Sequence, residues 1–159
     1  AILKYLAEKV KAPSYPAEPR ARVRVNERMD WFNTGLYRDL GYGLIYPQVI
    51  DTYRKGDEQA HRQHLAWSRA KANHWLDILD RHHLGGKNRF VCGDTPTLAD
   101  FMGACYVNLG EVIRLDYSAY PNIMRWLADM KALPYWNSTH EAFYAHFVGA
   151  FKDKPFEGL

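Results

Sequence analysis

Cysteine is scarce in this chain: Cys92 and Cys105 are the only two among 159 residues. They form no CxxC pair and share no ligand spacing with histidine, which excludes a disulfide framework and a zinc ribbon. Such sparse use suits a reducing compartment, so a cytoplasmic location is expected. Long apolar runs are missing too. No stretch could span a bilayer, and none reads as a secretion leader. Net charge is slight, +3 with histidines neutral. Arg20, Arg22, Arg24 and Arg28 cluster, but Glu18, Glu27 and Asp30 lie among them. That mixture reads as a solvated helix face and not as a nucleic-acid stripe. His61, His64 and His74 lack a companion carboxylate at ligand spacing, and His82 and His83 point to different helix faces, so no metal centre is expected. Strand alternation, internal repeats and low-complexity tracts are absent as well.

Helical periodicity is what remains, together with many aromatics: five Trp and eleven Tyr. Ile2, Leu3, Leu6 and Val10 share one face of a short helix within residues 1–11. Pro13, Pro16 and Pro19 then mark a linker over residues 12–19, with Pro19 suited to a first helical turn. Val25, Met29, Phe32, Leu36 and Leu40 form the apolar stripe of a long helix, which Gly41 and Gly43 are expected to end or bend. Asp57 can cap another long helix running to about His83, with Leu65, Ala72, Leu76 and Leu79 inward and Gly85-Gly86 as its stop. Phe90-Val91-Cys92 reads as an extended connection with no sheet to join. Pro121 opens a shorter helix with Ile123, Trp126, Leu127 and Met130 inward, and Pro134 stops it. Phe143, Phe147 and Val148 belong to a last helix, and residues 152–159 read as a loose tail. The fold class is therefore all-α, a bundle of about five to six helices.

The most informative stretch is Thr97-Leu98-Ala99-Asp100. A hydroxyl followed three residues later by an acid is a capping box, with Asp in place of Glu or Gln. Leu98, Phe101, Met102, Cys105, Leu109 and Val112 follow at helical spacing, and Gly103 and Ala104 leave room for close approach. This predicts a central buried helix from Leu98 to about Leu115, with Cys105 a buried structural thiol. The longer run Gly93-Asp94-Thr95-Pro96-Thr97-Leu98-Ala99-Asp100 resembles the G-x-x-x-[ST]-x-A-D signature of the glutathione transferase superfamily. There it opens the core helix of the C-terminal domain and serves folding. Residues 1–11 are similar to the last helix of that family's thioredoxin-like domain, residues 12–19 to the interdomain linker, and residues 20–151 to the helical domain. Pro121-Asn122-Ile123-Met124-Arg125-Trp126 followed by Pro134 resembles the penultimate segment.

The resemblance implies a helical, acceptor-binding and dimerisation domain of an enzyme that joins glutathione, its co-substrate, to hydrophobic electrophiles. It also implies a homodimer. Asn33, Thr34, Tyr37, Arg38, Tyr42 and Tyr46 fall on the helix that borders the family's cleft. Tyr37, Tyr42 and Tyr46 are assigned to the apolar-substrate side, Asn33 and Arg38 to polar contacts. Packed tyrosines and a surface arginine are the alternative for these positions. Phe143, Tyr144, Phe147 and Phe151 either close over a pocket or pin the last helix to the bundle. Thr97 and Asp100 are structural, and no catalytic residue is expected. The thiol-activating Tyr, Ser or Cys of the family belongs to the thioredoxin-like half, so the chain is expected to be a fragment, inactive alone. A second reading is a non-catalytic interaction module, as in related domains appended to translation factors and aminoacyl-tRNA synthetases.

Overall fold

The computed structural model describes residues 1–159. They form six helical rods and no sheet, the only β feature being a single antiparallel bridge between Phe90 and Gly93. Helix α1 spans Ile2–Lys9. Helix α2, Pro19–Trp31, is capped by the Glu18 carboxylate, which accepts from the N–H groups of Arg20 (2.8 Å) and Ala21. It does not stop at the glycines. The rod continues through wide π-type turns at Phe32–Leu36 and Arg38–Ile45 into α3, Tyr46–Val49. The glycines serve close contact instead. A Cβ on Gly41 would lie 2.6 Å from the Tyr37 ring, and one on Gly43 would lie 2.9 Å from Ser68 Oγ of the neighbouring rod. Pro47 has no N–H to place in a regular α-turn, and the preceding wide turns let it stay helical.

Helix α4, Glu58–Ile78, starts at Asp57, whose side chain accepts from Ala60 N–H at 2.9 Å. It runs on through Leu79–Leu84 to Gly85, at φ +47°. Helix α5, Leu98–Asn108, is followed by tighter 3₁₀ turns over Leu109–Ile113. Helix α6 spans Pro121–Lys131, and α7, Trp136–Phe143, continues through Tyr144–Val148 to Phe151.

Three buried aspartates stitch these rods together. The Asp100 carboxylate completes the capping box at Thr97 N–H (2.8 Å), then reaches Val91 N–H (2.9 Å) and Trp126 Nε1–H (3.0 Å). Asp80, at the end of the α4 rod, accepts from the N–H groups of Asn122 (2.8 Å) and Ile123 (3.0 Å). It thereby caps α6, which has no side-chain cap of its own. Asp39 accepts from Trp75 Nε1–H at 2.6 Å and from both ends of the Arg38 guanidinium.

The inward faces of α2, α4 and α6 are as expected: Val25, Met29, Phe32, Leu36, Leu40, Leu65, Ala72, Leu76, Leu79, Ile123, Trp126, Leu127 and Met130 are all buried. Helix α5 differs in detail. Its buried face is Leu98, Ala99, Asp100, Gly103, Ala104, Val107 and Asn108. Phe101 and Cys105 are exposed. Cys105 is therefore not a core thiol; its sulfur lies 3.8 Å from His140 Nε2 on an open flank. The small residues turn inward because Phe32 fills the space over Gly103, where a Cβ would sit 2.3 Å from the ring.

The stripe of α1 is bare: Ile2, Leu3, Leu6 and Val10 are all exposed, and only Ala7 is buried. The tail, by contrast, is fastened and not loose. Glu157 N–H donates to Gln48 Oε1 (2.7 Å), Gln48 Nε2 donates back to Glu157 C=O (3.1 Å), and Arg69 pairs with the Glu157 carboxylate at 2.6 Å.

Candidate functional site

Where the long rod passes Gly41 it presents tyrosines on one side. Tyr42, Tyr46 and, beyond α3, Tyr53 surround one mouth of a cavity of about 570 Å³. Ile45, Val49 and Ile50 extend that wall; Leu109 and Val112, from the turns after α5, form its floor. Phe143, Phe147 and Phe151 close the far side. Every lining residue is apolar or aromatic, and the phenolic hydroxyls are the only polar side-chain groups among them. The three phenylalanines thus face a pocket and do not simply pin the last helix.

Behind this wall stands Tyr37. Its ring stacks on Tyr106 with centroids 4.0 Å apart and planes 4° from parallel. Its hydroxyl lies 2.5 Å from the Tyr46 hydroxyl, while Tyr106 donates to Asn33 Oδ1 at 3.3 Å. Gly41 makes the Tyr37 placement possible, since the ring occupies the space of the missing Cβ. Burial, then the hydrogen bond with Tyr46, pushes Tyr37 well above the ordinary tyrosine range, and burial raises Tyr106 as well. Tyr46 is raised by burial too, although the hydrogen bond with Tyr37 pulls against that shift. All three stay protonated at neutral pH.

The structure brings Tyr37, Tyr42 and Tyr46 together and puts Asn33 beside them through Tyr106. Thr34 and Arg38 stand apart. Thr34 Oγ1 donates to Asp30 C=O one turn back (2.7 Å), and Arg38 clamps Asp39 while remaining exposed. Sequence reasoning did not reach Tyr53, Ile50 or Tyr106. Tyr53 carries a signal in hindsight, as the third member of the run Tyr42, Tyr46, Tyr53. Tyr106 carries none, since its partner Tyr37 is far away in sequence.

Cys92 borders a separate crevice of about 320 Å³ between the linker and α2, beside Arg24 and Thr97. Burial pushes its thiol up, so it offers no thiolate.

Comparison with known proteins agrees with this fold. The family model for the glutathione S-transferase C-terminal domain matches residues 49–134, and the chain belongs to that family. Glutathione S-transferase D7 of Drosophila melanogaster is 30% identical over 146 residues, 89% of this chain. The chain spans 60% of the length of that relative. A delta-class glutathione transferase of Nilaparvata lugens superposes with a TM-score of 0.71 at 27% identity, over 95% of this chain and 67% of its own. A glutathione transferase homologue from Sulfitobacter, solved with bound glutathione, has the same fold: TM-score 0.71 at 18% identity, over 89% of this chain and 73% of its own.

Proposed function

We propose that this chain is the acceptor-binding helical domain of a glutathione transferase. The whole protein joins glutathione to apolar electrophiles, and this chain supplies the wall that receives the electrophile. The observation that carries the reading is the 570 Å³ cavity with its all-apolar lining, the kind of site that buries a small hydrophobic molecule and orients it with few polar groups. On the long rod Tyr42 and Tyr46 line the cavity, with Tyr37 and Asn33 supporting them from behind; Thr34 and Arg38 lie outside it. Thr97 and Asp100 serve folding alone.

The bare apolar face of α1 supports a further half packed against it, in keeping with the longer fly relative. In this reading the thiol-activating residue lies in that half, and the chain alone does not turn over. Reduced glutathione as co-substrate fits a cytoplasmic protein, a detoxifying role and the sparse, unpaired cysteines. A homodimer is part of the same reading.

The test is glutathione-dependent conjugation of benzyl chloride by the full-length protein, with product followed by chromatography. Conjugation above the uncatalysed rate is expected. A full-length protein that binds glutathione but conjugates no apolar electrophile contradicts the reading.

A further inference from the structure

We infer that Cys105 and His140 form a thiol–base pair that captures small apolar α,β-unsaturated carbonyl compounds covalently, at a site separate from the tyrosine-walled cavity. This goes beyond the transferase reading and does not depend on it. Cys105, on α5, is exposed. Its sulfur lies 3.8 Å from Nε2 of His140, on α7. The other ring nitrogen fixes the tautomer. His140 Nδ1 lies 2.9 Å from the Trp136 carbonyl oxygen, which can only accept. Thr139 Oγ1 is 3.2 Å from the same nitrogen, but its own proton goes to the Tyr135 carbonyl. Nδ1 therefore carries the hydrogen of the neutral ring, and Nε2 is left to accept from the Cys105 thiol.

The ring is also prepared for the proton it takes. His140 stacks on the Trp136 indole with centroids 3.8 Å apart and planes 13° from parallel, and that face stabilises a cation lying over it. Apolar surroundings push the Cys105 thiol up, so it stays protonated at neutral pH and needs a base at the moment of attack. A nucleophile, a base within its reach and a third group that orients the base are the parts of an activated nucleophile. A crevice of about 360 Å³ opens at the sulfur, walled by Phe101, Leu133, Pro134, Tyr135 and Trp136. No lysine or arginine lines it, which disfavours anionic disulfides and suits an apolar body. Trp136 is buried and its indole N–H has no acceptor, so the wall holds one unanswered donor, which suits a ligand carrying a carbonyl oxygen.

The step balances without a leaving group or an oxidant. The Cys105 sulfur attacks the β-carbon and a C–S bond forms, while the thiol proton passes to His140 Nε2. The π pair of the C=C bond moves toward the carbonyl as an enolate. The α-carbon then takes the proton from His140, which leaves a thioether and a neutral ring.

The experiment treats the full-length protein, without glutathione, with phenyl vinyl ketone or with acrylamide, and follows the Cys105 and Cys92 peptides by mass spectrometry. Both reagents react at a β-carbon, and only the first carries an apolar ring. At Cys105 the rate ratio of phenyl vinyl ketone to acrylamide is expected to exceed that of free N-acetylcysteine at least about tenfold, the gain from burying one phenyl ring. In His140→Phe, which keeps a ring over Trp136, alkylation of Cys105 by phenyl vinyl ketone is expected to slow about a hundredfold, the low end of what a positioned base contributes. The Cys92 rate stays as in the parent. A reagent ratio at Cys105 equal to that of N-acetylcysteine overturns the inference, and it is read in the parent alone, whether or not the variant folds. A Cys105 rate that His140→Phe leaves unchanged overturns it as well.

Discussion

At the scale of single residues, Asp100 and His83 show what burial does to polar groups. The capping box at Thr97 and Asp100 was readable as a local pattern. Its other partners, Val91 N–H and the Trp126 indole, were not, because they arrive from elsewhere in the chain. A lost cap alone costs about 0.5–2 kcal/mol. Asp100→Ala also leaves buried donors without an acceptor, so a destabilisation of roughly 3–5 kcal/mol is expected, checked by urea unfolding. His83 is buried, with both ring nitrogens unpartnered. Burial first, and Arg28 second, hold its pKa down to about 4. The unfolded ring takes a proton near pH 6.5. Stability from this group is therefore complete above pH 6.5 and is lost as pH falls toward 4, where the unfolded state binds the extra proton. The loss is on the order of 2–3 kcal/mol. Urea unfolding at pH 7.5 and pH 4.5 checks it: His83→Leu is expected to narrow the difference between the two conditions by about that amount.

At the scale of elements, periodicity and punctuation located the rods, and it is instructive where they misled. Gly41 and Gly43 read as the end or a bend of the helix because glycine disfavours a regular helix. Tertiary contact overrides that preference: the Tyr37 ring and Ser68 each fit where a side chain would have been. On α5, counting large apolar residues placed Phe101 and Cys105 inward, whereas the small residues face the core because Phe32 claims the space. The tail was unreadable for the same reason. Its fastening depends on Gln48, Arg69 and Arg114, none of them adjacent in sequence. Arg114 sits in the left-handed region at φ +54°, where a branched or bulky side chain is disfavoured. Its guanidinium donates to the carbonyls of Phe151 (3.1 Å) and Lys152 (2.9 Å), and to that of Lys154, and lies over the Phe156 ring. It satisfies the carbonyls that the final helical turn leaves open. In Arg114→Ala, amide hydrogen exchange is expected to quicken about tenfold or more over residues 149–157, the change that follows loss of about 1.4 kcal/mol of local protection. Rates over α4 serve as the reference.

At the scale of the whole molecule, the all-α architecture was legible because it depends on repeated, locally encoded stripes. Part of the cavity was legible as well: the resemblance to the family put Tyr42 and Tyr46, with Tyr37 behind them, on the rod that borders the cleft. The rest was not. Leu109, Val112 and the three phenylalanines meet those tyrosines only when α5 and the last helix fold back across the long rod. Family membership follows from the match over residues 49–134, and the cavity gives that membership a chemical direction. The central claim is that this cavity receives the electrophile-derived part of the conjugate. A crystal structure of the full-length protein with S-benzylglutathione tests it most directly. The benzyl ring is predicted to lie between Tyr46 and Phe147, in contact with Val112. A ring resting outside the cavity, with the cavity unfilled, would contradict the account.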